Sequence, residues 1–190
     1  MIRNKKRKVA HKKVLIFVEG KSEEIYFQFL RQKLRLANVV IKPVVLSNAG
    51  INWVEKAKLM MKNNKKYRVD KDTDIYVVFD KDEFSNNELQ KMEKSAKMAN
   101  INIGLSNIMF EVWLLAHFQN LQSQYIPKNI LLEKLSFHLD KKYKKADTDI
   151  LEMIVDKYEN AIHNARDISK IDFQNQSTNL GEIIDKIKTS

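Results

Sequence analysis

Residues 14–36 read VLIFVEGKSEEIYFQFLRQKLRL, and this stretch decides the fold. Val14 to Val18 is short, apolar and rich in β-branched and aromatic residues, which predicts a buried strand. Glu19-Gly20 then predicts a turn. From Ser22, a candidate N-cap followed by acids, to about Leu36, the residues Ile25, Tyr26, Phe29, Leu30 and Leu34 recur at helical spacing. Strand, turn and helix make one βα unit.

The unit recurs along the chain. Val39–Leu46 predicts a second strand, with Pro43 marking an irregular or edge position, and the loop Ser47-Asn48-Ala49-Gly50 leads to a helix near Asn52–Asn63. Ile75–Phe79 predicts a third strand ending at Asp80, followed by a helix around Glu88–Asn100 and a fourth strand at Ile101–Leu105. This alternation implies an α/β fold whose mainly parallel four-stranded sheet is flanked by helices. Helical periodicity then runs through Phe110–Phe118, Lys128–Leu139, Thr148–Ala165 and Gly181–Lys188. The expected organisation is a basic arm over 1–13, an α/β core over 14–118 and a helical extension over 119–190 packed on that core. With four glycines and two prolines, no flexible linker is expected to divide it.

The formal charge of the 190-residue chain is +10. Arg3, Lys5, Lys6, Arg7, Lys8, Lys12 and Lys13 precede the first strand without an acid, and the remainder holds 27 basic against 24 acidic residues. Such an arm attracts phosphate backbones by releasing counterions, and a solvated tail has the same composition, so charge leaves both readings open. Lys142 and Lys144, in the run Lys141-Lys142-Tyr143-Lys144-Lys145, combine charge with a neighbouring aromatic ring as nucleic-acid clefts do; a solvated loop is the competing reading. Cysteine is absent, which excludes disulfides, thiolate zinc sites and cysteine nucleophiles. The apolar runs are too short for a membrane span, so a soluble, cytoplasmic protein without a membrane partner is expected.

Parallel sheets place reactive groups where their strands end. Glu19 follows the first strand, Asp80 ends the third and Asp82 lies two residues on, so three acids are expected to converge on one edge. Carboxylates that close repel unless a cation or a proton neutralises them. Oxygen-only ligands favour Mg²⁺ or Mn²⁺, which supports phosphodiester chemistry. The plain competitor is a pair of loop acids capping a turn. Gly20-Lys21-Ser22 imitates the end of a phosphate-binding Walker loop, but that loop needs a glycine where Leu15 stands, so Lys21 at most touches phosphate. Gly20 is expected to relieve the turn. Ser106, Asn107 and Glu111 lie just past the fourth strand as candidates for a second shell or substrate contact, while Glu111 equally suits a first helical turn with no further role. His117 reads as a packed histidine, and Ser177 and Thr178 as caps of the last helix.

These residues form recognisable patterns. Glu19-Gly20 and Asp80-Lys81-Asp82 resemble the glutamate and D-x-D elements of the Toprim domain. Leu105 to Phe118 resembles the S-N-P-x-F-E-x-W-L-L-x-H-F stretch of RloB-like proteins, and Asn175-Gln176-Ser177-Thr178-Asn179 resembles that family's N-P-S-T element. The likeness runs from Val14 to about Ile187, with both family prolines replaced, by Ile108 and Gln176. It implies a Toprim-type core in a protein of the RloB and AbiLii kind, associated with bacterial phage-defence loci and an ATPase partner. It also implies Asp80 and Asp82 as metal ligands and Glu19 as general acid/base or metal-linked.

The leading expectation is therefore metal-dependent cleavage of DNA or RNA. The alternative is a catalytically weak nucleic-acid-binding or regulatory subunit of an ATPase-containing defence complex, and a third reading is hydrolysis of a small nucleotide. Topoisomerase and primase versions of Toprim are disfavoured, since the chain has no room for strand-gate domains and no cysteines for a zinc ribbon.

Overall fold

The structure, a computed structural model, describes residues 12–35, 39–46, 52–81 and 84–189. Four strands run parallel: β1 (Lys12–Val18), β2 (Val39–Val45), β3 (Thr73–Asp80) and β4 (Asn102–Asn107). A fifth, β5 (Ser177–Thr178), adds antiparallel to β4, giving the order β2-β1-β3-β4-β5. The sheet is thus mixed and five-stranded, where four strands are expected from sequence. Ser177 and Thr178, read above as helix caps, are this edge strand: β4 offers them a row of backbone partners that sequence cannot display. Pro43 lies in β2 at the opposite edge, where its missing N–H leaves no interior ladder bond unmade.

The helices are α1 (Lys21–Leu34), α2 (Trp53–Asn63), α3 (Asn86–Met98), α4 (Glu111–Ala116), α5 (Lys128–His138), α6 (Thr148–Val155), α7 (Tyr158–Asn164) and α8 (Leu180–Lys188). Side chains alternate across a strand, so β1 feeds two cores. Val14, Ile16 and Val18 join a large cluster with α1 and with α4 to α8, while Leu15 and Phe17 join a smaller one with α2 and α3. Residues from both the expected core and the expected extension share the larger cluster, and α8 packs on β4.

Local chemistry sets the helix ends. The Asn52 carboxamide accepts from the Val54 and Glu55 amides at the start of α2, and Ser85 with Glu88 forms a capping box on α3. Ser22 caps nothing: α1 begins at Lys21, and the Ser22 hydroxyl accepts from the Ala146 N–H at 3.0 Å. The single helix expected over Thr148–Ala165 is broken at Asp156-Lys157, where Lys157 adopts φ −102° and ψ 21°. The break lets α6 pack on α1 while α7 packs on α4 and α8. No helix among the described residues is long and apolar enough to cross a membrane.

Candidate functional site

Strands β1 and β3 are neighbours, so their last residues meet. The Glu19 N–H donates to the Val78 carbonyl at 3.1 Å, and the Asp80 N–H donates to Glu19 Oε2 at 2.9 Å. Two strand ends are thereby tied through a carboxylate. One turn into α1, Glu23 is buried, and a Cβ added to Gly20 would lie 3.2 Å from Glu23 Oε2. Gly20 has φ −137°, which any residue adopts, so the position calls for space beside that carboxylate and not for turn relief as expected from sequence.

Glu111 opens α4 and is 1% exposed. Its Oε1 accepts from the Tyr143 hydroxyl at 3.1 Å and stands 3.4 Å from Lys145 Nζ. Its Oε2, also buried, has no hydrogen-bond partner among the described residues. A buried carboxylate oxygen left in that state is costly and points to something that completes it.

The acids act on one another. Part of Asp80 reaches the surface, yet burial of its carboxyl is the first cause pushing its pKa well up, followed by the charges of Glu23, Glu19 and Glu111; a hydrogen bond from the Phe110 N–H opposes them. Glu23 is pushed up to about 7, first by burial, then by Glu19 and Glu111, against its own backbone N–H and Lys145. For Lys145, burial works against the ammonium, and Glu111, Asp80 and Glu23 outweigh it and raise the pKa. Burial and the Glu111 charge raise the Tyr143 phenol. Glu19, Glu23, Asp80 and Glu111 therefore form one electrostatic cluster, with Lys145 as its cation.

Other expected residues fall elsewhere. Asp82, Arg3, Lys5, Lys6, Arg7 and Lys8 lie outside the described residues. Lys21 is exposed and pairs with Glu24 at 2.5 Å. Ser106 stands opposite Asp80 in the ladder, but its hydroxyl is engaged with Thr178 Oγ1 at 3.0 Å. Asn107 donates to the carbonyls of Asp172 and Asn175, at 3.1 and 2.6 Å, holding the loop before β5. Lys142 and Lys144 are exposed, whereas Tyr143 between them is buried with its hydroxyl on Glu111. The basic run is therefore not wholly a solvated loop, because Tyr143 and Lys145 reach inward.

Glu23 escapes the sequence reading, and Tyr143 and Lys145 enter it only as members of the basic run, not as partners of Glu111. Glu23 looks like an ordinary first-turn acid, and only its spacing of four from Glu19 hints otherwise. His117 is a packing histidine: Nε2 meets the Tyr26 hydroxyl and Nδ1 the Trp113 carbonyl, each at 3.0 Å, and burial pushes its pKa down to about 3.

As donors, the clustered acids fit a hard divalent cation: all are oxygen, and one Glu111 oxygen is unsatisfied. Among the described residues no three His, Cys, Asp or Glu side chains are already arranged to hold a metal ion. Two surface clefts among the described residues, of about 510 and 460 Å³, are lined by other residues, the first mainly by the 167–176 segment and the second by α1 and α6.

Fold and site together define a class: an α/β protein carrying a carboxylate cluster where parallel strands end. The RloB-like protein family matches residues 14–187, and the chain belongs to that family. No curated protein and no solved structure matches it. The Asn107–Ile108 peptide is cis, at one of the positions where the family pattern quoted above carries proline.

Proposed function

We propose that this RloB-like protein is a metal-dependent phosphodiesterase that cleaves DNA or RNA, built on a Toprim-type core. The observation that carries the reading is the gathering of Glu19, Glu23, Asp80 and Glu111 where β1 and β3 end. There Glu111 Oε2 is buried and without a hydrogen-bond partner among the described residues, and Asp80 and Glu23 are raised first by burial and then by neighbouring acids. Among the described residues, four acids set against the ammonium of Lys145 leave the cluster short of positive charge, and a divalent cation is the simplest further partner.

In this reading Mg²⁺ or Mn²⁺ is held by Glu19, Asp80 and Asp82. When bound, such an ion supplies Lewis acidity toward phosphate oxygens. The protein's own groups set the stage. The Asp80 N–H fixes the Glu19 carboxylate, Tyr143 orients Glu111 through its Oε1, and Lys145 offers a positive charge at the open side of the cluster. The family resemblance, and no particular side chain, supports a role in bacterial phage defence beside an ATPase partner, and with it a cytoplasmic location.

The test is cleavage of labelled DNA and RNA in Mg²⁺ or Mn²⁺ by the wild type and by Asp80→Asn. Loss of a primary ligand is expected to lower cleavage at least about 100-fold, the upper end for outer-shell changes. Equal cleavage by both proteins removes the cluster from the mechanism. No cleavage by the wild type supports the non-catalytic subunit instead, and calorimetric titration with Mn²⁺ then reports whether the carboxylates bind metal at all.

A further inference from the structure

Tyr143, the aromatic ring within the basic run, is buried, and the exposed ring nearby is Phe137 at the end of α5, 78% exposed. It is not isolated. Phe137 stands edge-on to His138, 5.6 Å between centroids, and His138 lies flat on Phe118 at 5.2 Å with an interplanar angle of 7°. Lys157 Nζ lies over the Phe118 ring, 4.5 Å from its centroid. Phe137 is thus the solvent-facing ring set edge-on against a stacked His138–Phe118 pair.

The stack sits in a positive field. Residues 134–145 contain five lysines and one acid, Asp140. Lys134 and Lys157 are close enough to His138 that, after burial, their charges depress its pKa. The chain after α5 doubles back, with the Tyr143 N–H donating to Ser136 Oγ at 3.0 Å, next to Phe137 in sequence. From there Tyr143 and Lys145 reach Glu111. A single connector therefore joins the exposed ring to the carboxylate cluster.

We infer that Phe137 and the lysines of residues 134–145 form a ledge that binds unpaired nucleotides, with a base stacked on Phe137 and the backbone led along the connector toward the acids. An exposed aromatic in a field of lysines suits a strand whose bases are free to stack, since base–aromatic stacking needs a π-face and phosphate contacts need cations. A duplex keeps its base faces covered and would use the lysines alone. A protein partner would call for a contiguous apolar patch, and the residues around Phe137 in sequence are Lys134, Ser136, His138, Asp140 and Lys141, with Leu135 and Leu139 buried. The inference deepens the function proposed above and rests on it for the chemistry at the acids, but not for binding.

The test is fluorescence anisotropy in chelator, so that binding is read without cleavage, using a labelled single strand and the duplex of the same sequence. Phe137→Ala is expected to weaken single-strand binding roughly tenfold and duplex binding less than about twofold, while Phe137→Trp retains wild-type affinity. Wild-type melting temperature in both variants shows that the exposed substitution left the fold intact. The ledge is overturned if Phe137→Ala binds the single strand as the wild type does, if single strand and duplex lose equally, if the wild type binds no single strand, or if polyglutamate competes as well as unlabelled strand. Cleavage by the wild type alongside any of these outcomes leaves the phosphodiesterase reading standing without the ledge. Phe137-dependent binding without cleavage does the reverse.

Discussion

Helices α1 and α4 meet at two buried polar places, and the two differ in kind. At one, Tyr26 of α1 meets His117 just past the end of α4, and both imidazole nitrogens have partners among neutral groups packed by Phe27, Phe110 and Trp113. At the other, Glu23 of α1 and Glu111 at the head of α4 meet Glu19 and Asp80, so four acids face one another and one carboxylate oxygen is unsatisfied. Tyr26, His117, Glu23 and Glu111 are buried, whereas Glu19 and Asp80 are half-buried at the strand ends. A neutral, completed polar pair costs little and fixes helix packing, whereas an incomplete charged cluster persists only if something else completes it.

The largest way to break this comparison is at the neutral end, where the Trp113 indole nitrogen is also buried without a hydrogen-bond partner among the described residues. Trp113 is fully buried against Tyr26 and His117, so Trp113→Ala is expected to lower unfolding stability by about 3–5 kcal/mol in a urea titration. A loss below about 1 kcal/mol would mean that this end is not the structural anchor.

The acidic end predicts the opposite sign. The folded-state pKa of Glu23 is raised, to about 7, so its stabilising share is full below pH 4.5 and is lost as the pH rises through 7. In chelator, Glu23→Gln is therefore expected to be more stable than the wild type by about 2 kcal/mol at pH 8, from a shift worth about 1.4 kcal/mol per unit and discounted for coupling to its neighbours. The gap should close below pH 4.5. Melting curves across that range check it, and a variant less stable than the wild type at pH 8 would place Glu23 in a satisfied network.

The smallest effect sharpens the contrast. Tyr26→Phe removes one partner of His117 and is expected to cost about 1 kcal/mol, measured by the same titration. His117 itself, held low by burial, stabilises the fold above pH 6.5, and that share is lost as the pH falls toward 3. The two ends thus respond to pH in opposite directions.

Much of this was legible along the chain. Continuous apolar strands and periodic helices place Glu19 and Asp80 at strand ends on one edge of the sheet, because parallel βα units bring those ends together, and the structure makes the two strands neighbours. The block from Leu105 to Phe118 carries the family likeness. Less was legible where a residue's role depends on a distant partner. Glu23 and Lys145 have the composition of surface charges, and they become site residues only because α1 and the connector after α5 bring them to Glu111 and Asp80. The helix break at Lys157 likewise answers to two packing surfaces, α1 and α4, that no local pattern encodes.

By itself, the sequence determined the four parallel strands in chain order, most of the helices and the absence of sulfur chemistry, since these follow from local periodicity and composition. Only the tertiary structure decided that Ser177 and Thr178 are a strand, that Gly20 makes room for a carboxylate, and that four acids share one electrostatic environment. A strand edge and the coupling of Glu23 to Asp80 and Glu111 join residues far apart in the chain, and even the local approach of Glu23 to Gly20 is fixed only by the burial that turns its carboxylate inward.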